Sequence, residues 1–304
     1  MITCFDIGGS TIKSAHARSA GEIEIIDRVA TPLDDFDAFA AVIAARANAG
    51  DRPSKGVSIS IAGVVDPASG SLKCANIPCV DGRLIAADLE RVIGLPVWIA
   101  NDADCFALAE ATSGAGKGHR NVFGVILGTG VGGGLVIDGR IVAGAGGYAG
   151  EWGHGKALQT TVGQPPVEVP HFACGCGQAG CVDTIGGARG LERLHRLLCG
   201  EVLSSTEVID RWRAGEAKAS RTIDIYLELV SVPLALTLNI IGSSIVPVGG
   251  GLSNVPELIE ALDREVRGRT LRRAADPLLV KAALTTEPGL IGAAALGLHE
   301  IANV

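Results

Sequence analysis

The sequence predicts an α/β protein built from two domains, and three observations carry that prediction. The chain has 304 residues, 47% of them hydrophobic, which at roughly 100–200 residues per domain leaves room for two buried cores. Strand-like apolar runs alternate with helix-length segments along most of the chain, as they do in α/β architectures. The device of strand, glycine turn and strand occurs twice, as FDIGGSTIKSA at the start and as GVILGTGVGGGLVI after residue 120. A repeat on that scale predicts two related α/β domains facing a cleft.

The elements follow in order. Strands are expected at 2–6, 11–17 and 22–30, a helix at 35–47, a strand at 57–61, a helix at 84–93 and a strand at 97–100. A further helix begins just after Asn101 and runs to about residue 112. The polar run 113–120 is a connection between domains. Beyond it come a strand at 121–127, a glycine turn over 128–134, and a strand at 135–137. Asp138-Gly139 then turns the chain into 140–142, as such pairs do in hairpins. Helices are expected at 187–198, 205–214 and 219–241. A strand at 245–248 ends in Gly249-Gly250-Gly251, a helix starts at Pro256, and the last strand and helix occupy 278–283 and 290–301. Pro247 lacks a donor, so it is expected at that strand's end or at an irregular edge.

Composition excludes several classes. The 42 glycines show no Gly-X-Y period, so they mark close backbone approaches rather than collagen. A net charge of −7 with a pI near 5.4 and no Lys/Arg cluster argues against a nucleic-acid partner. The start, MITCFDIGG, has neither the basic nor the long apolar region of a signal peptide. The apolar stretch at 230–241 is broken by Ser231, Pro233, Thr237 and Asn239 and is expected to be too short for a membrane span. Eight cysteines without a secretory signal point to a reducing cytoplasm, where thiols are buried or bind metal.

The chemistry concentrates in three places. First, backbone N–H groups can meet a nucleoside triphosphate only where glycine lets the chain come close. Asp6, Gly8, Gly9, Ser10, Thr11 and Lys13 offer one such set, and Gly128, Thr129, Gly130, Gly132 and Gly133 a second. Gly128, Gly130 and Gly133 also match a dinucleotide fingerprint, but that motif needs a helix directly after the glycines. A strand and turn follow here instead, and no GxxxxGK[ST] occurs. Two glycine hairpins in two domains resemble the phosphate loops of the actin and hexokinase superfamily.

Second, Cys174, Cys176 and Cys181 form a C-x-C-x4-C cluster. The single intervening residue is awkward for a disulfide, whereas three thiolates and one histidine make a common closed zinc site. His171, three residues before Cys174, and His154, twenty before, are both candidates for the fourth ligand, and spacing favours His171. Cys4, Cys74, Cys79, Cys105 and Cys199 are expected to be buried small residues. Third, Asn101-Asp102-Ala103-Asp104 lies where a strand meets a helix, and Glu151 stands three residues before His154. Both groups suit sugar hydroxyls, although a helix N-cap is the plainer role for Asn101 or Asp102. Phosphoryl transfer to a hydroxyl asks for one base near it and Mg²⁺ on the phosphates.

Taken in order, FDIGGSTIK, ANDADCFALAEA, GVILGTGVGGGL, GEWGH, CGCGQAGCVD and VGGGLSN resemble the ROK family (repressor, open reading frame, kinase) over essentially the whole chain. The 154–174 interval, the ANIP at 75–78 and GGGLSN are most similar to bacterial N-acetyl-D-glucosamine kinases, while GEWGH also resembles bacterial fructokinases.

The resemblance implies two actin-like, hexokinase-type (ribonuclease H-like) α/β domains. The small one would span 1–117 with a C-terminal helix at about 287–304, and the larger one, with the zinc site, 118–286. It implies an ATP-dependent sugar 6-kinase, with fructokinase, glucokinase or a non-catalytic repressor as alternatives, acting with ATP, Mg²⁺ and structural Zn²⁺ as a cytoplasmic homodimer. Asp102 would be the general base and Asp6 would lie near Mg²⁺. Gly249, Gly250 and Gly251 would border the adenosine. Gly63, Asn76, Asn101, Asp102, Glu151 and His154 would face the sugar. The resemblance makes His154, rather than His171, the fourth zinc ligand beside Cys174, Cys176 and Cys181. It also expects a sugar-contacting Glu two positions after the last cysteine, where this chain has Asp183. A repressor of this family would carry an N-terminal helix-turn-helix, and a phosphate strand starting at residue 2 leaves it no room.

Overall fold

The computed structural model describes residues 1–49 and 53–302. Residues 303 and 304 of the expected C-terminal segment, and residues 50–52, lie outside the described residues.

Burial in the first sheet rises from its outer hairpin strand to its centre. Its strands run in the order Glu22–Ala30, Thr11–Ser19, Ile2–Ile7, Val57–Ile61, Val97–Asn101. The first three are antiparallel and the last two join in parallel. Val57–Ile61 is buried at every position, as a central strand covered on both faces must be. The same order, outer hairpin and then parallel strands, recurs in a second five-stranded sheet: Arg140–Ile141, Val131–Ile137, Asn121–Leu127, Val246–Gly249, Leu279–Lys281. The repeat read from two glycine hairpins is therefore a repeat of topology.

Packing divides the chain into two units, one of Met1–Arg120, Gly134–Gly150 and Ala283–Val304, the other of Asn121–Gly133 and Glu151–Ala282. These units divide at Arg120 and Ala283 and place Gly134–Gly150 with the first. Gly134–Gly150 goes with the first unit because its glycines seat directly on that unit's backbone. A Cβ on Gly134 would stand 2.7 Å from the Ala103 carbonyl, and one on Gly147 would stand 2.3 Å from that of Val65.

Within the first unit, the helix Pro288–Ala302 lies close to its neighbours through glycine. A Cβ on Gly292 would stand 1.9 Å from the Cys105 carbonyl, and one on Gly297 would stand 2.8 Å from Ile2 and Ser58. The helix Asp102–Ser113 is tied in by Glu110, which is fully buried. Its carboxylate accepts the amides of Ala115 (2.7 Å), Ala283 (3.1 Å) and Leu284 (2.7 Å).

Three sequence expectations change. The glycine turn ends sooner than 134: Gly128 donates to the Gly130 carbonyl at 2.9 Å, closing the turn in three residues. Gly132 and Gly133 thus fall inside the strand Val131–Ile137. The apolar stretch at 230–241 is the end of a 25-residue helix, Ala217–Ile241. At 1.5 Å per residue, about 37 Å in all, that helix is long enough to cross a membrane. Its apolar window is 61% buried inside the unit, which makes it a core helix. Pro233 sits within it, and the Thr237 hydroxyl donates to the Pro233 carbonyl at 2.9 Å.

The third change concerns Pro247, which is central rather than at an edge or a strand end. It pairs with Val280, while the ladder to Asn121–Leu127 breaks between the bridge at Ile245 and the pair at Val248. The missing N–H falls at that break. Among the isolated cysteines, Cys4, Cys74 and Cys105 are buried as expected, whereas Cys79 and Cys199 are partly exposed.

Glu110→Ala removes a fully buried carboxylate that accepts three amides, so the folded state should lose about 3–5 kcal/mol. Guanidinium unfolding measures it, and a loss below about 1 kcal/mol would mean that Glu110 is not the tie described.

Candidate active site

In the first unit the candidate residues collect at the carboxyl ends of the parallel strands, where open α/β sheets bind ligands. Register explains the surroundings of Asp6, which is opposite Lys13 across the hairpin and opposite Ser60 on the parallel side. Ser60 Oγ donates to Asp6 Oδ1 at 3.1 Å, and Lys13 Nζ lies 3.5 Å from Asp6 Oδ2. Glu287, at φ 48°, takes the same ammonium at 2.6 Å. A Cβ on Gly289 would stand 2.4 Å from Asp6 Oδ1, so glycine there is what lets the carboxylate rest on the start of the C-terminal helix. Ser60 and Glu287 were missed in the sequence, and a partner 274 residues away in the chain leaves no local signal.

The turn after Asp6 closes with Gly8 N–H donating to the Thr11 carbonyl at 3.0 Å, and Thr31 Oγ donates to the Gly8 carbonyl at 2.7 Å. Ser10 is exposed at the tip. A Cβ on Gly9 would stand 3.2 Å from Asn76, so the structure brings this loop and that exposed asparagine together.

Asn101 ends its strand and caps the helix Asp102–Ser113, accepting the Ala103 amide at 2.8 Å. Its side-chain amide donates to the Gly63 carbonyl at 2.9 Å. Gly63 is itself confined, since a Cβ there would stand 2.8 Å from the Lys73 carbonyl. Asp102 is exposed at the first helical turn, and its Oδ1 also accepts the Ala103 amide, at 2.9 Å. The N-cap role and the exposed carboxylate thus belong to neighbouring residues. Beneath them burial pushes the Cys105 thiol well above its ordinary range, aided by the negative charges of Asp104, Asp6 and Asp102, so it stays a neutral core group.

In the second unit His154, Cys174, Cys176 and Cys181 present four donor atoms within 4.8 Å of one another. Cys176 and Cys181 Sγ are 3.6 Å apart, and His154 Nδ1 lies 3.7 Å from Cys174 Sγ. A tetrahedral zinc with bonds of 2.0–2.3 Å requires edges of about 3.5–3.8 Å, which these two pairs match, and three thiols with one imidazole are a donor set that suits that ion. Burial pushes the Cys174 thiol up to about 12, while the Gln178 amide lowers that of Cys176. His171 is elsewhere: its Nε2 is 2.8 Å from the Leu158 carbonyl and its ring packs where a Cβ on Gly180 would be. His154 Nε2, turned away from the sulfurs, lies 3.6 Å from Glu151 Oε2.

The second glycine turn is held from three sides. The Trp152 indole donates to the Gly132 carbonyl at 3.0 Å. Ala188 N–H donates to that of Gly128 at 2.8 Å. Asp183 Oδ1 accepts the Val131 amide at 2.8 Å. Gly250, at φ 85°, brings the Gly249–Gly251 turn against it, since a Cβ there would stand 2.5 Å from the Leu127 carbonyl group.

The ROK family model matches residues 2–300. The chain is 36% identical to the N-acetyl-D-glucosamine kinase of Pasteurella multocida (strain Pm70), over 97% of this chain and 99% of that relative. It is 35% identical to an N-acetylgalactosamine kinase of Shewanella sp. (strain ANA-3), over 96% and 95%. Among solved structures, the ROK hexokinase of Thermus thermophilus matches with a TM-score of 0.84 at 29% identity, over 100% of this chain and 99% of that one.

Proposed function

The chain belongs to the ROK family, and from that premise we propose that it is an ATP-dependent sugar kinase transferring the γ-phosphoryl group to the 6-hydroxyl of N-acetyl-D-glucosamine. Its fold is the two-domain, actin-like α/β fold. The observation that carries the mechanism is the junction at Asn101 and Asp102, where a rigid strand end and a helix start hold one residue fixed and leave the next exposed.

Asp102 takes the proton from the sugar hydroxyl as that oxygen attacks phosphorus, and the bond to the ADP oxygen breaks. A positioned base of this kind contributes roughly 10²–10⁴-fold. Asn101 and Gly63, locked to each other, give the hydroxyls a fixed frame, with Asn76, Glu151 and His154 as further readers. The turns at Gly8 and Gly128 supply backbone N–H groups to the phosphates, and Gly249, Gly250 and Gly251 border the adenosine. Asp6 would hold Mg²⁺, whose charge offsets that of the phosphate oxygens. Lys13, between Asp6 and Glu287, is the cation nearest that carboxylate among the pairs described.

His154, Cys174, Cys176 and Cys181 would hold a structural Zn²⁺ that fixes the loop carrying Glu151 and His154. The same reading takes the protein as a cytoplasmic homodimer, on the family resemblance alone.

With Mg-ATP, N-acetylglucosamine should drive ADP release faster than N-acetylgalactosamine, N-acetylmannosamine, glucose or fructose. Preference for another of these sugars would move the substrate and keep the mechanism. Asp102→Asn should lower kcat by at least about 100-fold with KM for ATP within about threefold, and residual turnover above a tenth of wild type would remove Asp102 as the base. Cys176→Ser should cut bound zinc, measured by atomic absorption, from one ion per chain to well under half. A wild-type chain that binds no zinc would reject the metal site.

A further inference from the structure

Asp183 stands where the family resemblance expects a sugar-contacting glutamate, yet its surroundings point elsewhere. Its Oδ1 accepts the backbone amide of Val131 at 2.8 Å. A Cβ on Gly130 would fall 2.4 Å from that same oxygen, so the carboxylate fills the space that any side chain at 130 would need. Oδ2 lies 3.7 Å from Cys174 Sγ, and Asp183 N–H donates to the Gly153 carbonyl at 2.9 Å. One short residue therefore touches the glycine turn, the cysteine cluster and the loop carrying Glu151 and His154. A glutamate, one methylene longer, would carry its carboxylate past the Val131 amide.

The segment following Asp183 completes the grip. Gly187 lies against the turn, where a Cβ would stand 2.6 Å from the Thr129 carbonyl, and Ala188 N–H holds the Gly128 carbonyl. The fully buried Tyr226 donates to the Gly186 carbonyl at 2.7 Å and anchors the segment to the core helix. With Gly128 N–H on the Gly130 carbonyl and Val131 N–H on Asp183, the amides of Thr129 and Gly130 are the ones in this turn that donate to nothing among the described residues.

We propose that Asp183 is a positioning residue for nucleotide rather than a reader of sugar. By binding Val131 N–H it sets the turn so that the Thr129 and Gly130 amides face the triphosphate, and it ties that turn to the cysteine cluster. The inference rests on the kinase reading for its ligand, and the test separates the two.

Full-length wild type, Asp183→Ala, Asp183→Asn and Asp183→Glu are compared by calorimetry with a non-hydrolysable Mg-ATP analogue and, separately, with N-acetylglucosamine. KM for each substrate and zinc content are measured on the same samples. Asp183→Ala should weaken analogue binding and raise KM for ATP about tenfold, with sugar affinity within about twofold. Asp183→Asn keeps an acceptor oxygen for Val131 and should recover to within about threefold of wild type, a rescue that loss of folding would not produce. Asp183→Glu should weaken analogue binding. Should Ala fail to fold, the Asn and Glu variants decide. Weakened sugar binding with unchanged analogue binding in any folded variant overturns the proposal, as does unchanged binding of both ligands in Asp183→Glu. A wild-type chain that binds the analogue but turns over no sugar defeats the kinase reading and leaves the binding arm to judge Asp183. A wild-type chain that binds no analogue defeats both.

Discussion

Close approach to glycine backbone, with no side chain on the glycine to intervene, is the constraint on which the turn at 128–130 in the second unit depends. Gly130 yields its space to the Asp183 carboxylate, Gly187 to the Thr129 carbonyl, and Gly250 to the end of the strand Asn121–Leu127. Each approach is closer than a Cβ tolerates, so Gly187 and Gly250 are closed to other residue types without movement of the main chain, and Gly130 without movement of the Asp183 carboxylate. The turn at 128–130 gains its shape from these contacts and from the hydrogen bonds they permit. The first unit uses the same means for a different end. Gly289 lets Asp6 rest on the start of the C-terminal helix, and Gly292 lets that helix lie on the carbonyl of Cys105.

The cysteine cluster extends the constraint. Four donor atoms drawn from a 28-residue span, His154 to Cys181, converge within 4.8 Å, and the chain between them is made of turns and one two-residue hairpin, Thr161–Val162 with Val167–Glu168. Such a segment buries little apolar surface, and a metal that binds only its folded form would stabilise it directly. His154 points one nitrogen at the cluster and the other at Glu151, so a group that fixes the ring also fixes the carboxylate beside it.

Much of this was legible in the sequence. Periodicity and glycine turns located the ten strands of the two five-stranded sheets, because apolar runs and turn chemistry act over a few residues. The two-residue pairs Val64–Val65 with Leu72–Lys73 and Thr161–Val162 with Val167–Glu168 and the short helix Asp183–Gly186 went unread. Glu22–Ala30, Val57–Ile61 and Asn121–Leu127 fell on the predicted bounds. Where reading failed, the cause was either a turn tighter than its glycines suggest or a contact distant in sequence. The strand Val131–Ile137 starts at glycines that look like a loop until a three-residue turn is seen to suffice. His171 is nearer to Cys174 in the chain, but a loop returns His154 to it instead, and only the resemblance made that choice. Glu110 sits in a run that reads as plain helix, and its acceptors' partners at Ala283 and Leu284 are more than 170 positions away. The one-methylene difference at Asp183 was visible, while its consequence required the position of Val131.

The central claim is that this chain moves a phosphoryl group from ATP to the 6-hydroxyl of an N-acetylhexosamine. Phosphorus–proton correlation NMR on the product of Mg-ATP and N-acetylglucosamine tests it most directly. The account predicts a single phosphomonoester coupled to the two protons on carbon 6, with ADP formed in equal amount. Phosphate on the anomeric oxygen, or ADP accompanied only by inorganic phosphate, would contradict it.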